Sequence, residues 1–245
     1  MSTMSQTEPT ILYEDTQVVV INKPAGLVVH SDGRTEEPTL VDWVKGRNPE
    51  LKDVGGMHTL DSERYVERYG ILHRLDRETS GVLCIAKDDE TFYFLQRQFL
   101  DHSIEKTYNA YVHGVPPQNK GVIEFPIGRS RSDFRQWTTG DDARGTLRPA
   151  HTDYRVLGAS RDEKYSFMEL SPKTGRTHQL RVHMKAVGNP ILCDTRYDTP
   201  AGLGFTRLAL HALSLKITLP AGEQKTFTAP LPDDFLLAQK LFTQP

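Results

Sequence analysis

The stretch His73-Arg74-Leu75-Asp76-Arg77-Glu78-Thr79-Ser80-Gly81 brackets one aspartate with basic, small and hydroxyl-bearing residues in a segment too polar for a core. Tyr69-Gly70-Ile71-Leu72 leads into it, and Val82-Leu83-Cys84-Ile85-Ala86 reads as a short buried strand behind it. Asp76 is therefore expected on a connection held at both ends by sheet, the kind of loop on which a rigid scaffold fixes a reactive group without burying it. The competing reading is a plain turn in which Asp76 bonds its own backbone and Arg74 and Arg77 are solvated. Paired-carboxylate hydrolysis of a glycosidic bond would need Asp76 and Glu78 to converge on one bond, and residues two apart in a turn seldom do.

Other groups point away from metal and nucleotide chemistry. The chain has no G-x-x-x-x-G-K-[ST] phosphate loop, no G-x-G-x-x-G fingerprint and no H-E-x-x-H pair. His178 and His183, five apart, would stand roughly 140° from each other around a helix and could not share a metal. His73-Arg74 is not a kinase catalytic loop, because Leu75 separates the arginine from the aspartate. Cys84 and Cys193 lie far apart, with neither zinc nor redox spacing, and read as inert packed thiols.

The elements that must position these residues are legible in outline. Val18–Ile21 reads as a buried strand stopped by the Lys23-Pro24-Ala25-Gly26 turn, with Leu27–His30 as the strand that leaves it. Asp88-Asp89 can cap a helix whose Phe92, Leu95 and Phe99 fall on one face, with Arg97 and Gln98 outward. Along Lys106–His113 the residues alternate, so Tyr108 and Tyr111 should project from opposite faces of one strand. Ser166–Leu170 is a further strand and Lys173-Thr174-Gly175 a turn. Thr177–Val187 reads as a helix with Leu180, Met184 and Val187 packed and His178, Arg181 and Lys185 on its polar face. The longest irregular stretch, Arg47–Arg68, is a candidate flexible insertion.

The formal charge of −2 argues against indiscriminate coating of nucleic acid. Its distribution is uneven: Arg129–Lys185 holds twelve Lys or Arg against seven Asp or Glu, a net +5 that leaves −7 elsewhere. Such a span suits a phosphate-binding face whose affinity is salt-dependent, although charge runs are usually only solvated surface. A chain of 245 residues, 37% hydrophobic, can bury a proper core. No segment approaches a membrane helix, and the N-terminus lacks the basic start and apolar stretch of a secretory signal, so a cytoplasmic protein with a frayed tail over residues 1–10 is expected.

Four blocks occur in a fixed order: Asn22-Lys23-Pro24-Ala25-Gly26-Leu27-Val28-Val29-His30, His73–Gly81, Glu105-Lys106-Thr107-Tyr108 with Gly114, and Pro172–His183. Gly188-Asn189-Pro190-Ile191 and Arg207–Ala212 follow. Together they resemble the RluA-type pseudouridine synthases over nearly the whole chain. The resemblance implies an α+β fold, a mixed and largely antiparallel sheet core flanked by helices and loops, with the catalytic domain over 11–245. It implies isomerisation of specific uridines within structured RNA, with no metal or other cofactor, and with ribosomal RNA slightly favoured over transfer RNA. The Asn22 block begins too early for the S4-type module many relatives carry, so a stand-alone catalytic domain is expected, monomeric and without an obligate protein partner.

Residue by residue, the resemblance makes Asp76 the group that acts on the sugar, as nucleophile or as base, and Arg181 the partner that keeps it ionised. Tyr108 becomes the platform on which an extruded base stacks. Arg74, Lys173, Arg176 and His178 become candidates for phosphate contact or for filling the gap left by the flipped base. The segment Gly128–Arg148, with Arg129, Arg131, Arg135, Trp137, Arg144 and Arg148, suits RNA loops, and its Asp133, Asp141 and Asp142 suit a plain surface hairpin nearly as well. The alternative function is a non-catalytic RNA-binding or ribosome-assembly factor, whose mark would be loss of Asp76, Tyr108 or Arg181; all three are present.

Overall fold

The computed structural model describes residues 8–31, 36–59, 65–197 and 199–243. Residues 1–7 of the expected tail lie outside that set, as do residues 60–64 of the expected Arg47–Arg68 insertion. The chain forms two compact units, one of residues 1–105 and 214–229, the other of residues 106–213 and 230–245. The fold is α+β, as expected, and every strand pairing described below is antiparallel.

In the first unit, β1 (Thr10–Glu14) and β2 (Val18–Lys23) form a hairpin, and β2 pairs in turn with β5. Between them come α1 (Leu40–Arg47), the short β3 (Met57–Thr59) and β4 (Tyr65–Glu67), then β5 (Ser80–Ala86) and α2 (Asp89–Leu100). β5 is buried along its whole length, which is what its unbroken apolar run requires. Thr39 and Asp42 close a reciprocal capping box on α1, and the Asp88 carboxylate caps α2 by accepting from Thr91 N–H. Phe92 and Leu95 of α2 are buried, as their spacing predicts.

Three expectations need correction here. Leu27–His30 is not a strand: only an isolated bridge links Val28 to Thr39, because the Leu27 carbonyl is taken by the Lys23 ammonium and the Val28 and Val29 carbonyls by the N–H groups of Leu40 and Val41. The stretch after Arg47 is not irregular but holds a 3-10 turn (Pro49–Leu51) and the β3–β4 hairpin. Gln98 is not outward; its side chain holds both the N–H and the C=O of Thr218.

In the second unit the strand order is β6 (Glu105–His113), β12, β11 and β15, with β7 (Lys120–Ile123) also pairing β11. A separate three-stranded sheet is built from β8 (Ile127–Ser130), β9 (Trp137–Thr139) and β10 (Ala143–Arg148), followed by β11 (Thr152–Ser160) and β12 (Tyr165–Pro172). The remaining elements are α3 (Gln179–Ala186), β13 (Leu210–Thr218), β14 (Gln224–Thr228), α4 (Asp233–Gln239) and β15 (Phe242–Thr243). The β13 end and β14 form a hairpin of the first unit, where the Tyr13 ring packs on Phe227 and under the Lys225 ammonium.

An aromatic cluster fills the second unit. Tyr111, fully buried, stacks on Phe167 at 4.7 Å and meets Phe205, Phe235 and Phe242, while its hydroxyl donates to the Phe235 carbonyl. Burial raises that phenol above its usual range. Tyr108, three residues earlier on the same strand, is only partly buried and packs against the same cluster, while the unbroken β6–β12 register from Tyr108 to His113 keeps the two tyrosines in alternation. Cys84 and Cys193 are both free and buried, and burial pushes the Cys84 thiol up to about 12, so both are inert as expected. Among the described residues no helix is long and apolar enough to cross a membrane.

Candidate active site

Asp76 and Arg74 sit on a loop of the first unit. It leaves the sheet at Ile71, which makes an isolated bridge to Ile85, and rejoins it at Ser80, the first residue of β5. Gly70 allows the close entry: its φ is +72°, and a Cβ there would stand 2.0 Å from the Ala86 carbonyl oxygen. Leu75 and Thr79 are buried and anchor the loop from beneath, while Asp76 is half-buried and Arg74 exposed. The backbone does form the turn of the plainer reading, with Thr79 N–H donating to the Asp76 carbonyl at 3.1 Å.

What fixes the loop is a residue the sequence reading assigned only to a turn. Lys23 is fully buried, and its ammonium donates to three carbonyls, Leu27 at 2.8 Å, Pro24 at 2.9 Å and Arg77 at 3.1 Å. Gly26 N–H adds a second bond to the same Arg77 carbonyl at 2.9 Å. The residue after Asp76 is thereby stapled to the Lys23–Leu27 turn, and the Arg77 guanidinium is paired with Glu37. His73 is held as firmly: its Nε2 accepts from Cys84 N–H at 3.1 Å and its ring stacks on Phe99 at 4.7 Å. A carboxylate fixed in this way keeps its position without reorganising when a substrate arrives.

The other candidates lie in the second unit. Tyr108 stands on β6 opposite Leu170 of β12. Two residues before it, Lys106 has its ammonium 3.3 Å from the Thr174 carbonyl, and burial pushes its pKa down to about 8. The basic loop Lys173–His178 is organised by Gln179, which is buried. The Gln179 carbonyl oxygen accepts from Thr174 hydroxyl at 2.7 Å and Arg176 N–H at 3.0 Å, and its amide donates to the His151 carbonyl and the Thr152 hydroxyl. Lys173 is exposed and pairs with Asp153 at 3.3 Å, and the Arg176 Nε donates to the Pro149 carbonyl.

The helix after this loop begins at Gln179 rather than Thr177, because His178 takes a left-handed conformation with φ of 55°. His178 then turns its Nδ1 to the Tyr197 hydroxyl at 3.0 Å. The expected polar face of α3 also changes. Arg181 is buried, its Nε and Nη2 donating to the two oxygens of Asp194 at 2.7 and 2.6 Å, with its guanidinium 5.1 Å from the Tyr197 ring centre. His183 is fully buried between the Thr152 hydroxyl and the Phe125 carbonyl, and burial lowers its pKa. Val187, expected in the packed stripe, is exposed.

Tyr197, Asp194, Gln179 and Lys23 are the residues that sequence reasoning missed. Tyr197 joins His178, Arg181, Lys185 and the Trp137 N–H around one ring. In the β8–β10 sheet, Arg129 lies over Trp137 at 4.8 Å and Arg135 pairs with Asp133, so part of the basic surface is internally engaged. Among the described residues no group of three or more His, Cys, Asp or Glu is placed to hold a metal ion.

A family described as RNA pseudouridylate synthase matches residues 17–186 of the chain. The chain is 37% identical over 225 residues to the Bacillus subtilis (strain 168) protein named uncharacterized RNA pseudouridine synthase YlyB, covering 91% of this chain and 69% of that protein. It is 36% identical over 241 residues to the ribosomal large subunit pseudouridine synthase D of Zymomonas mobilis, covering 94% and 72%. The chain spans about two thirds of the length of the curated relatives it matches. Among solved structures it resembles human RNA pseudouridylate synthase domain containing 1, with a TM-score of 0.74, 27% identity, and coverage of 100% of this chain and 92% of that one.

Proposed function

The chain belongs to the RNA pseudouridylate synthase family, an isomerase family, and from that premise we propose that it converts specific uridines of a structured RNA to pseudouridine with Asp76 as the group that acts on the sugar. The observation that carries the reading is the Asp76 loop itself: a half-buried carboxylate between two buried anchors, Leu75 and Thr79, with the next carbonyl stapled by Lys23 and Gly26. A carboxylate that only filled a surface turn would not call for a fully buried lysine to hold the carbonyl beside it.

In the reaction the C1′–N1 bond breaks, the base turns, and a C5–C1′ bond forms while C5 loses its proton and N1 gains one. Asp76 serves either as nucleophile at C1′ or as base at C2′, and in both roles it must be ionised. By the family resemblance Arg181 is assigned the role of keeping that carboxylate ionised, and Tyr108 is the platform for the extruded base, whose stacking contributes about 1–3 kcal/mol against the cost of leaving the helix. Arg74, Lys173, Arg176 and His178 contact phosphates or fill the vacated stack. Ribosomal RNA is the favoured substrate, supported by the name of the Zymomonas mobilis relative.

The test is tritium release from bacterial RNA labelled at uridine C5. Wild-type protein should release tritium from ribosomal RNA, and Asp76→Asn should abolish release while leaving RNA binding in place. No release by wild type from ribosomal or transfer RNA, with binding retained, would support a non-catalytic RNA-binding protein instead.

A further inference from the structure

Where the chain enters the Asp76 loop, within the first unit, lies a cavity of about 130 Å³ lined by His30, Arg68, Ile71, Leu72, His73 and Arg74. Four of its six lining residues carry nitrogen donors, two close the apolar side, and none is a carboxylate. The Arg68 Nε is buried and, among the described residues, has no hydrogen-bond partner, although the guanidinium lies 5.5 Å from the Phe92 ring centre. A buried N–H left without an acceptor costs the full desolvation of that group, so such a site is stabilised by a ligand that brings the acceptor. His73 lines the same cavity, its Nε2 accepting from Cys84 N–H at 3.1 Å.

We infer that this cavity binds a phosphate group of the RNA chain and so holds the strand beside Asp76. The inference rests on the RNA substrate proposed above. The chemistry selects a phosphate on three counts. A guanidinium fork matches phosphate oxygens in a paired geometry that carbonyl or hydroxyl ligands do not reproduce. The space is far below the roughly 300–1,000 Å³ of pockets that enclose whole organic ligands, so it admits the charged group and leaves sugar and base outside. Arg74 is two residues from Asp76 on a stapled loop, so a phosphate held here lies within a nucleotide or two of the sugar on which Asp76 acts. Arg68 and His30 extend the RNA-contacting set to two residues that no sequence block marked for that role.

The experiment measures binding of fragmented bacterial large-subunit ribosomal RNA across a KCl series for wild type, Arg68→Met, Arg68→Lys and the control Lys216→Met, a residue of the first unit paired with Glu105 and expected to keep the wild-type slope. Loss of one phosphate contact should lower the slope of log affinity against log salt by about 0.7–0.9. Arg68→Met should show that drop and bind about ten-fold more weakly. Arg68→Lys should regain the slope and only part of the affinity, because an ammonium keeps the charge and loses the fork. A wild-type slope in Arg68→Met, or no RNA binding by wild type, would overturn the inference. Inorganic phosphate, compared with KCl at matched ionic strength, distinguishes the sources: phosphate binding at the cavity together with an unchanged RNA slope in Arg68→Met makes it a small-anion site and overturns the RNA assignment. Because binding is read without turnover, a failure of tritium release would count against the isomerase reading and leave the salt-slope test of the cavity standing.

Discussion

Arg181 and Asp194 form a two-pronged ion pair, with N–O distances of 2.7 and 2.6 Å and both side chains almost out of solvent. The arginine that the family pattern assigns to the reactive site therefore has its guanidinium plane set by an aspartate thirteen residues further on. A planar fork bound along one edge has a fixed direction for its remaining edge.

Asp194→Ala removes the buried carboxylate that both Nε and Nη2 of Arg181 donate to and should destabilise the protein by about 3–5 kcal/mol. Urea unfolding of Asp194→Ala, Arg181→Met and the double variant checks this. The double variant should lose clearly less than the two single losses combined, and strict additivity would show that the pair is not coupled.

Lys23→Met removes the donor to three carbonyls, two of them in the turn and one beside Asp76. Hydrogen bonds to a charged group contribute about 1.5–3 kcal/mol each, and part of that loss returns as the turn relaxes, so a net destabilisation of about 3 kcal/mol is expected. Because the freed loop carries Asp76, kcat should fall more than KM rises, and an unchanged kcat would detach Lys23 from the positioning of Asp76.

The Lys106 amine has a pKa of about 8 in the folded protein against an ordinary 10.5, with burial as the cause. Its depressed value means that below pH 8 the folded state bears the whole cost of burying the ammonium. Between about 8 and 10.5 the unfolded chain holds a proton that the folded one has released, so this group makes stability rise with pH over that window. The full span corresponds to about 3 kcal/mol. Unfolding free energies of wild type and Lys106→Met from pH 7 to 10.5 should therefore converge as pH rises, with the variant the more stable at pH 7. Parallel curves would refute the assignment.

Tyr108→Phe keeps the ring and should keep RNA affinity within a few-fold. Tyr108→Ala loses the stacking surface and should weaken binding by roughly ten- to a hundred-fold, following about 1–3 kcal/mol per stacked base. Equal losses of tritium release in the two variants, with affinity retained in both, would move the role from the ring to the hydroxyl.

Much of the scaffold was legible because its signals are local. The Asp88 cap with Phe92 and Leu95 marked α2, the unbroken Val82–Ala86 run marked β5, and alternation separated Tyr108 from Tyr111. The order of the four blocks carried the family. The helix, strand and alternation signals depend on residues within a few positions of one another, where periodicity and capping act.

The fate of the polar groups was decided elsewhere. Arg181 read as a polar-face residue and Lys23 as part of a turn, and His183 was given no place, yet all three are buried. Their partners lie 13 residues away at Asp194, 31 and 58 away at Thr152 and Phe125, and 54 away at Arg77. The start of α3 likewise follows from His178 reaching Tyr197, nineteen residues on, and from Gln179 holding the preceding loop. By itself the sequence determined β2, β5, β6, β12 and α2 in outline and the residue types at the candidate site. Only the tertiary structure decided which charged groups could be buried, because burying a charge is unfavourable until the fold delivers acceptors or a counter-charge from a distant part of the chain.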